Sequence, residues 1–163
     1  YRAGASFRHS FSLPQELTLR RTMQGLRLVR RPAREVLALR AGSAMSIGAF
    51  RGELAEMDIR CRISSDGCLA LDLRGVPFSF NAKNQTLSVA GTTVPWNCTD
   101  GMFAVKLFVD RVGMEVFSSD GLQMTAFPDA FPLPDRTCFE TIEEKGVTDV
   151  SYKVWRLKSV YTR

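Results

Sequence analysis

What the chain lacks narrows its chemistry. It has one histidine, His9, and its four cysteines (Cys61, Cys68, Cys98 and Cys138) form no Cys-x-x-Cys pair. A zinc site is therefore not expected, and neither is any other metal or cofactor. His9 has no serine or cysteine partner in a recognisable arrangement, which leaves nucleophilic catalysis without support. No apolar run approaches the ~20 residues of a membrane span. Lysine is missing from the first forty residues, which hold nine arginines against Glu16 and Glu35, a balance of +7. The other 13 basic and 15 acidic residues give −2, for a total of +5. No aromatic residues alternate with those arginines as stacking platforms would require, so nucleic acid is not expected. The basic third reads instead as a solvated face, or as one that meets an acidic neighbouring domain. The chain starts at Tyr1 and carries no signal peptide, the start expected of a fragment of a longer protein.

What is present is a β pattern. The 163 residues fit one domain, and 45% hydrophobic with 24% charged content is ordinary for a globular chain. Leu17 and Leu19, then Leu26 and Leu28, alternate with polar neighbours around Gly25, which predicts a hairpin. Pro32 opens a short predicted helix carrying Val36, Leu37 and Leu39, with Gly42 as its stop. From Glu53 onward the pattern is β throughout. Met57, Ile59, Cys61 and Ile63 share one face; Asp66-Gly67 is expected to turn, and Leu69, Leu71 and Leu73 to return. Val76 to Phe80, Thr86 to Ala90, Phe103 to Val109 and Met114 to Ser118 are further strands. Asp100-Gly101 and Asp120-Gly121 are hairpin turns, the second placing Met124 opposite Phe117 and Ala126 opposite Glu115. Phe127 to Pro134, broken by Pro128, Pro132 and Pro134, is a loop. Thr137 to Ile142 and Val147 to Leu157 close the chain as two strands on either side of a turn at 143–146. About eleven short strands with little helix and no long repeat predict an all-β, two-sheet antiparallel sandwich. The thiols are expected to be buried and free, with one disulfide as the alternative.

The segment from Leu107 to Gly121, LFVDRVGMEVFSSDG, resembles the signature of the C-terminal β-sandwich module of glycoside hydrolase family 32, the invertases, levanases and inulinases. SLPQELTLR (Ser12 to Arg20) resembles the start of that module and VWRLKSVY (Val154 to Tyr161) its closing strand. The resemblance implies a jelly-roll or concanavalin-like sandwich over residues 15–163, with 1–14 as a connector from a missing N-terminal catalytic β-propeller. It makes Asp110, Arg111, Glu115 and Phe117 structural motif residues. It also implies an exported protein, extracellular, periplasmic or on the cell surface. The family's catalytic carboxylates lie in Trp-x-Asn-Asp-Pro-Asn-Gly-type, Arg-Asp-Pro and Glu-Cys motifs. None of these occurs here: no Glu precedes a Cys, and no Asp stands between Arg and Pro. A retaining glycosidase needs two carboxylates across one anomeric carbon, so no catalytic residue is expected in this stretch. The implied partner is the propeller, which the module would stabilise. Two alternatives remain: a carbohydrate-binding (lectin-like) module that contacts an oligosaccharide through an exposed Trp96, and an oligomerisation module. Trp155 is expected to pack inward, and one apolar face is expected to be open where the propeller would sit.

Overall fold

The computed structural model describes residues 12–131 and 136–160; His9, Pro132, Pro134 and Tyr161 lie outside the described residues. Eleven strands are formed there: β1 (Gln15–Thr22), β2 (Gly25–Pro32), β3 (Arg40–Met45), β4 (Ala55–Leu73), β5 (Val76–Asn81), β6 (Thr86–Val89), β7 (Thr92–Pro95), β8 (Met102–Val109), β9 (Met114–Ser118), β10 (Met124–Phe127) and β11 (Phe139–Leu157). Every pairing is antiparallel. The first half of β4 lies between β8 and the last half of β11; the second half lies between β5 and the first half of β11. One layer therefore runs β10-β9-β8-β4-β11-β3 and the other β7-β6-β5-β4-β11. The fold is the all-β sandwich expected, with β4 and β11 belonging to both layers.

Period-2 alternation supplies the core. Met57, Ile59 and Cys61 of β4 and Phe103, Val105 and Leu107 of β8 point inward from one layer. Leu69, Leu71 and Leu73 of β4 and Phe78 and Phe80 of β5 point inward from the other. Phe80 and Phe103 stack with ring centres 4.3 Å apart, joining β5 of one layer to β8 of the other.

Several expected reversals take another form. Asp66-Gly67 does not turn the chain back, because β4 runs on through it. A Cβ on Gly67 would lie 2.5 Å from Cγ1 of Ile63 and 3.0 Å from the Lys145 carbonyl oxygen. The glycine is there for close approach at a bend, which a sequence cannot tell from a turn. The turn expected at 143–146 is likewise a bend inside one strand, β11, with Gly146 at φ +62 against Gly67. The reversal between β4 and β5 is instead Arg74-Gly75, with φ of 60 and 81, the both-positive geometry of a tight hairpin turn. Asp100-Gly101, at φ 53 and 66, does turn as expected. Beside Asp120-Gly121 the predicted register holds (Met124 with Phe117, Ala126 with Glu115), but the loop is longer than two residues, closed by the Ser118 amide donating to Gln123 O at 2.9 Å. The predicted helix after Pro32 is a 3-10 turn, Arg34–Leu39, with Val36 buried and Leu37 exposed; Gly42 lies inside β3 instead of stopping it.

Gly67→Ala is expected to cost about 1–3 kcal/mol by overpacking the bend. Gly48→Ala, where an added Cβ meets nothing within 4 Å, should stay within about 0.5 kcal/mol of the parent. Urea unfolding of the two variants measures the difference.

Candidate functional site, a hairpin and the outer face of one layer

The motif residues Asp110, Arg111, Glu115 and Phe117 are close in space but do not form an acid/base pair. Asp110 accepts the Arg111 amide on its own carboxylate at 2.7 Å, and its amide donates to Gly113 O at 2.9 Å, closing the β8–β9 turn. Arg111 pairs with Glu53 at 3.0 Å. Phe117 is buried edge-on against Phe108, centres 6.0 Å apart, in a small cluster with Val36 on the outer face of the layer. Glu115 sits on that face too. One carboxylate oxygen accepts the Leu13 amide at 2.8 Å; the other is buried without a hydrogen bond. Burial raises its pKa, the Leu13 amide opposes the rise, and Asp110 adds to it. Glu115 is thus held by a backbone amide and not by a cation.

Lys106 is engaged elsewhere. Glu56, on the outer face of β4, is fully buried. Arg40 grips it with two hydrogen bonds of 2.6 Å, and Lys106 donates to the same carboxylate. Burial pushes the Glu56 pKa up, but the Arg40 and Lys106 hydrogen bonds outweigh it and hold the carboxyl below its ordinary value. Trp155 was expected in the core. It is half-buried on this outer face, with the Arg40 guanidinium 3.9 Å over its ring, because Val154 takes the inward position. Nothing in the sequence marks Glu56, which reads as one polar residue on a solvent-facing alternation.

Trp96 is also not where the sequence suggested. It is 3% exposed and packs in the main core, so the indole presents no open face to a sugar ring. The signal of a loop after Pro95 was sound, but the loop folds its indole inward. Cys61 is buried, and that burial pushes its thiol up to about 11, which removes it as a thiolate nucleophile. All four cysteines are free thiols. Among the described residues no group of three His, Cys, Asp or Glu side chains is placed to hold a metal ion. No helix there is long and apolar enough to cross a membrane.

The feature that stands apart is the hairpin. β1 and β2 form their own two-stranded sheet, from Gln15↔Pro32 to Thr22↔Gly25. Cross-strand pairing puts Leu17, Leu19, Leu26 and Leu28 on one face, and they are 59%, 72%, 59% and 40% exposed. The opposite face is seated by Val29, which is buried; a Cβ on Gly121 would come within 2.6 Å of its Cγ1. The Arg30 amide donates to Gly121 O at 2.8 Å and completes the seat. A cleft of about 380 Å³ lies beside it, lined by Leu28 and Arg30 from the hairpin and by Pro95, Trp96, Leu122 and Met124 from the sandwich.

The two outer-face carboxyls have opposite pH signatures. Glu56, lowered, stabilises the fold above the ordinary carboxyl value of 4.5 and loses that contribution as pH falls through its folded value. Glu115, raised, favours the fold while protonated, so its contribution is lost as pH climbs from 4.5 through its folded value. Urea unfolding between pH 3 and 7 should therefore show Glu56→Gln about 2–3 kcal/mol less stable than the parent at pH 7, since the two cations keep partial access to water. The gap should narrow in acid. Glu115→Gln, which keeps the acceptor for Leu13, should be at least as stable as the parent at pH 7 and converge with it near pH 3.

No protein-family model matches the chain, and no curated protein matches it in sequence. Solved structures do match its fold. An exo-inulinase from Aspergillus awamori superposes with a TM-score of 0.74 at 18% identity, over 92% of this chain and 36% of that one. A glycoside hydrolase family 32 protein from Bifidobacterium adolescentis gives 0.62 at 18%, over 91% of this chain and 26% of that one. Chicken galectin 2 gives 0.50 at 17%, over 69% of this chain and 97% of the galectin. The chain thus spans about a third of the length of the glycosidases it matches. The match falls on their C-terminal part. In fold, this chain resembles the C-terminal β-sandwich part of these family 32 glycosidases, the likeness that its Leu107–Gly121 segment suggested.

Proposed function

We propose that this chain is the non-catalytic C-terminal sandwich module of a levanase- or invertase-like β-fructosidase, packed against a catalytic β-propeller that it stabilises. The observation that carries this reading is the fold match to one part of much longer sugar hydrolases. The chemistry of the site agrees with it. Asp110 closes its own turn on the Arg111 amide and Glu115 is partly buried beneath the Leu13 amide, an arrangement that anchors chain and does not resemble two carboxyls set across one anomeric carbon. An exported location belongs to the same reading.

Carbohydrate binding by the sandwich itself is the second reading, favoured by the fold likeness to a galectin. Burial of Trp96 removes the aromatic platform it would have used. Calorimetric titration with inulin-derived oligosaccharides separates the two readings: measurable heat with the isolated chain would favour the binding module.

The chain alone is expected to release no reducing sugar from sucrose, inulin or levan above buffer. The complete polypeptide encoded by its gene is expected to hydrolyse at least one of them. Hydrolysis by the isolated chain would overturn the non-catalytic assignment, and an inert complete polypeptide would overturn the family function.

A further inference from the structure

We propose that the β1–β2 hairpin is a docking element whose leucine face is covered by an apolar protein strip edged with Asp and Glu side chains, on the neighbouring catalytic domain. The proposal rests on the module reading above for the identity of that neighbour, and it goes further by naming the surface and its chemistry. It also moves the structural boundary: the sandwich would begin after Pro32, and the hairpin would belong energetically to the interface.

Three observations carry it. First, the hairpin is a separate two-stranded sheet, and a lone hairpin is marginal in water unless one face packs against something. Val29 anchors one face, whereas the four leucines of the other meet no part of the sandwich that buries them. Met23 at the hairpin tip is fully exposed as well. Contiguous apolar surface of this kind marks an interaction site.

Second, the charges round those leucines are unbalanced. Arg21 and Arg30 share the leucine face with no acid beside them, while Arg20, Arg27 and Arg31 lie with Glu16, the sole acid of the two strands, on the opposite, Val29 face. Arg20 stands directly opposite Arg27, an arrangement that works against the hairpin in isolation. Arg27 reaches Gln24, but none of the five forms an ion pair among the described residues. Guanidinium forks are suited to bidentate carboxylates, so an acidic rim fits.

Third, the other occupants fit worse. A second copy docking by the same face would put like surface on like surface, arginine against arginine. A nucleic acid would satisfy the arginines but leave the leucines in contact with phosphate and water, and the hairpin offers no aromatic platform. Only a surface both apolar and acidic answers both features. The glycosidases that share this fold carry about two thirds of their length outside the matched part, which provides room for such a surface.

The test is hydrogen exchange on the complete polypeptide encoded by the gene and on the 163-residue chain, in parent and variant forms. Amides of β1 and β2 should exchange at least tenfold more slowly in the complete polypeptide. Leu19→Ser with Leu28→Ser should abolish that protection and lower the unfolding temperature of the complete polypeptide. The same pair should leave the melting of the 163-residue chain unchanged. Arg21→Glu with Arg30→Glu should reduce the protection and make what remains insensitive to 0.5 M NaCl. Equal exchange in the two polypeptides would overturn the proposal. So would a concentration-dependent dimer of the 163-residue chain that the leucine variants dissolve, or a gene that encodes no further domain. Activity on sucrose, inulin or levan keeps the two claims apart. An active polypeptide with an unprotected hairpin refutes docking alone; an inert polypeptide with a protected hairpin refutes the glycosidase reading alone.

Discussion

Everything in this molecule depends on two strands of nineteen residues each, β4 and β11, that run side by side through both layers of the sandwich. A sheet cannot bend sharply and keep every ladder hydrogen bond, so the crossing point must be relieved locally. The pairing slips in register at 141/143, 145/147 and 148/151, and Gly67 and Gly146 meet where no side chain would fit. Neighbouring loops take up groups near the bend: Gly101 O accepts the Ile63 amide, and Gly67 O accepts the Ala82 amide. At the far end of β4, Arg74 is buried in a left-handed conformation, its guanidinium donating to the carbonyls of Glu53, Asp110 and Arg136. Three separate loops are thereby drawn to one end of the core.

The outer face of the β8-containing layer does a different job. It is not simply solvated. Phe108 and Phe117 are covered there by Val36 and Leu39, next to the buried Glu56 carboxylate and the Glu115 carboxyl that holds the Leu13 amide. These contacts fix the two connectors that lead into and out of the hairpin. The hairpin is therefore presented in a defined place although its own leucines are open. The same architecture accounts for the segment around Asp110 and Glu115: Asp110 builds the turn and Glu115 anchors the connector.

Much of the fold was legible because period-2 alternation and burial coincide. The inward faces of β4, β5 and β8, the β9–β10 register and the small amount of helix all follow from the pattern of apolar residues. The failures share one physical cause. Asp66-Gly67 and 143–146 carry turn chemistry, but the same residues serve a bend when two long strands change layer, and only tertiary partners decide between the outcomes. Trp96 failed for a related reason, since local sequence gives the loop but not the direction of its side chain. Of the site, the order strand, turn, strand around Asp110 was readable. The engagement of Glu56 by Arg40, sixteen residues away, and by Lys106, fifty away, was not, because nothing local pairs them.

The sharing of β4 between layers also has a consequence for how the chain acquires its structure. β4 has partners in β5, β8 and β11, and the last of these ends at Leu157, so the sandwich cannot close until nearly the whole described chain is present. Folding of this part is dominated by contacts distant in sequence and belongs among slow topologies. The β1–β2 hairpin, by contrast, is entirely local and precedes the sandwich strands in sequence, so it can pair, if only marginally, while the long strands are still waiting. During synthesis its leucines would precede the closing strand β11 by more than a hundred residues. The order of emergence then sets a kinetic asymmetry: the early element is exposed and sticky, and the late element is the one that locks the fold.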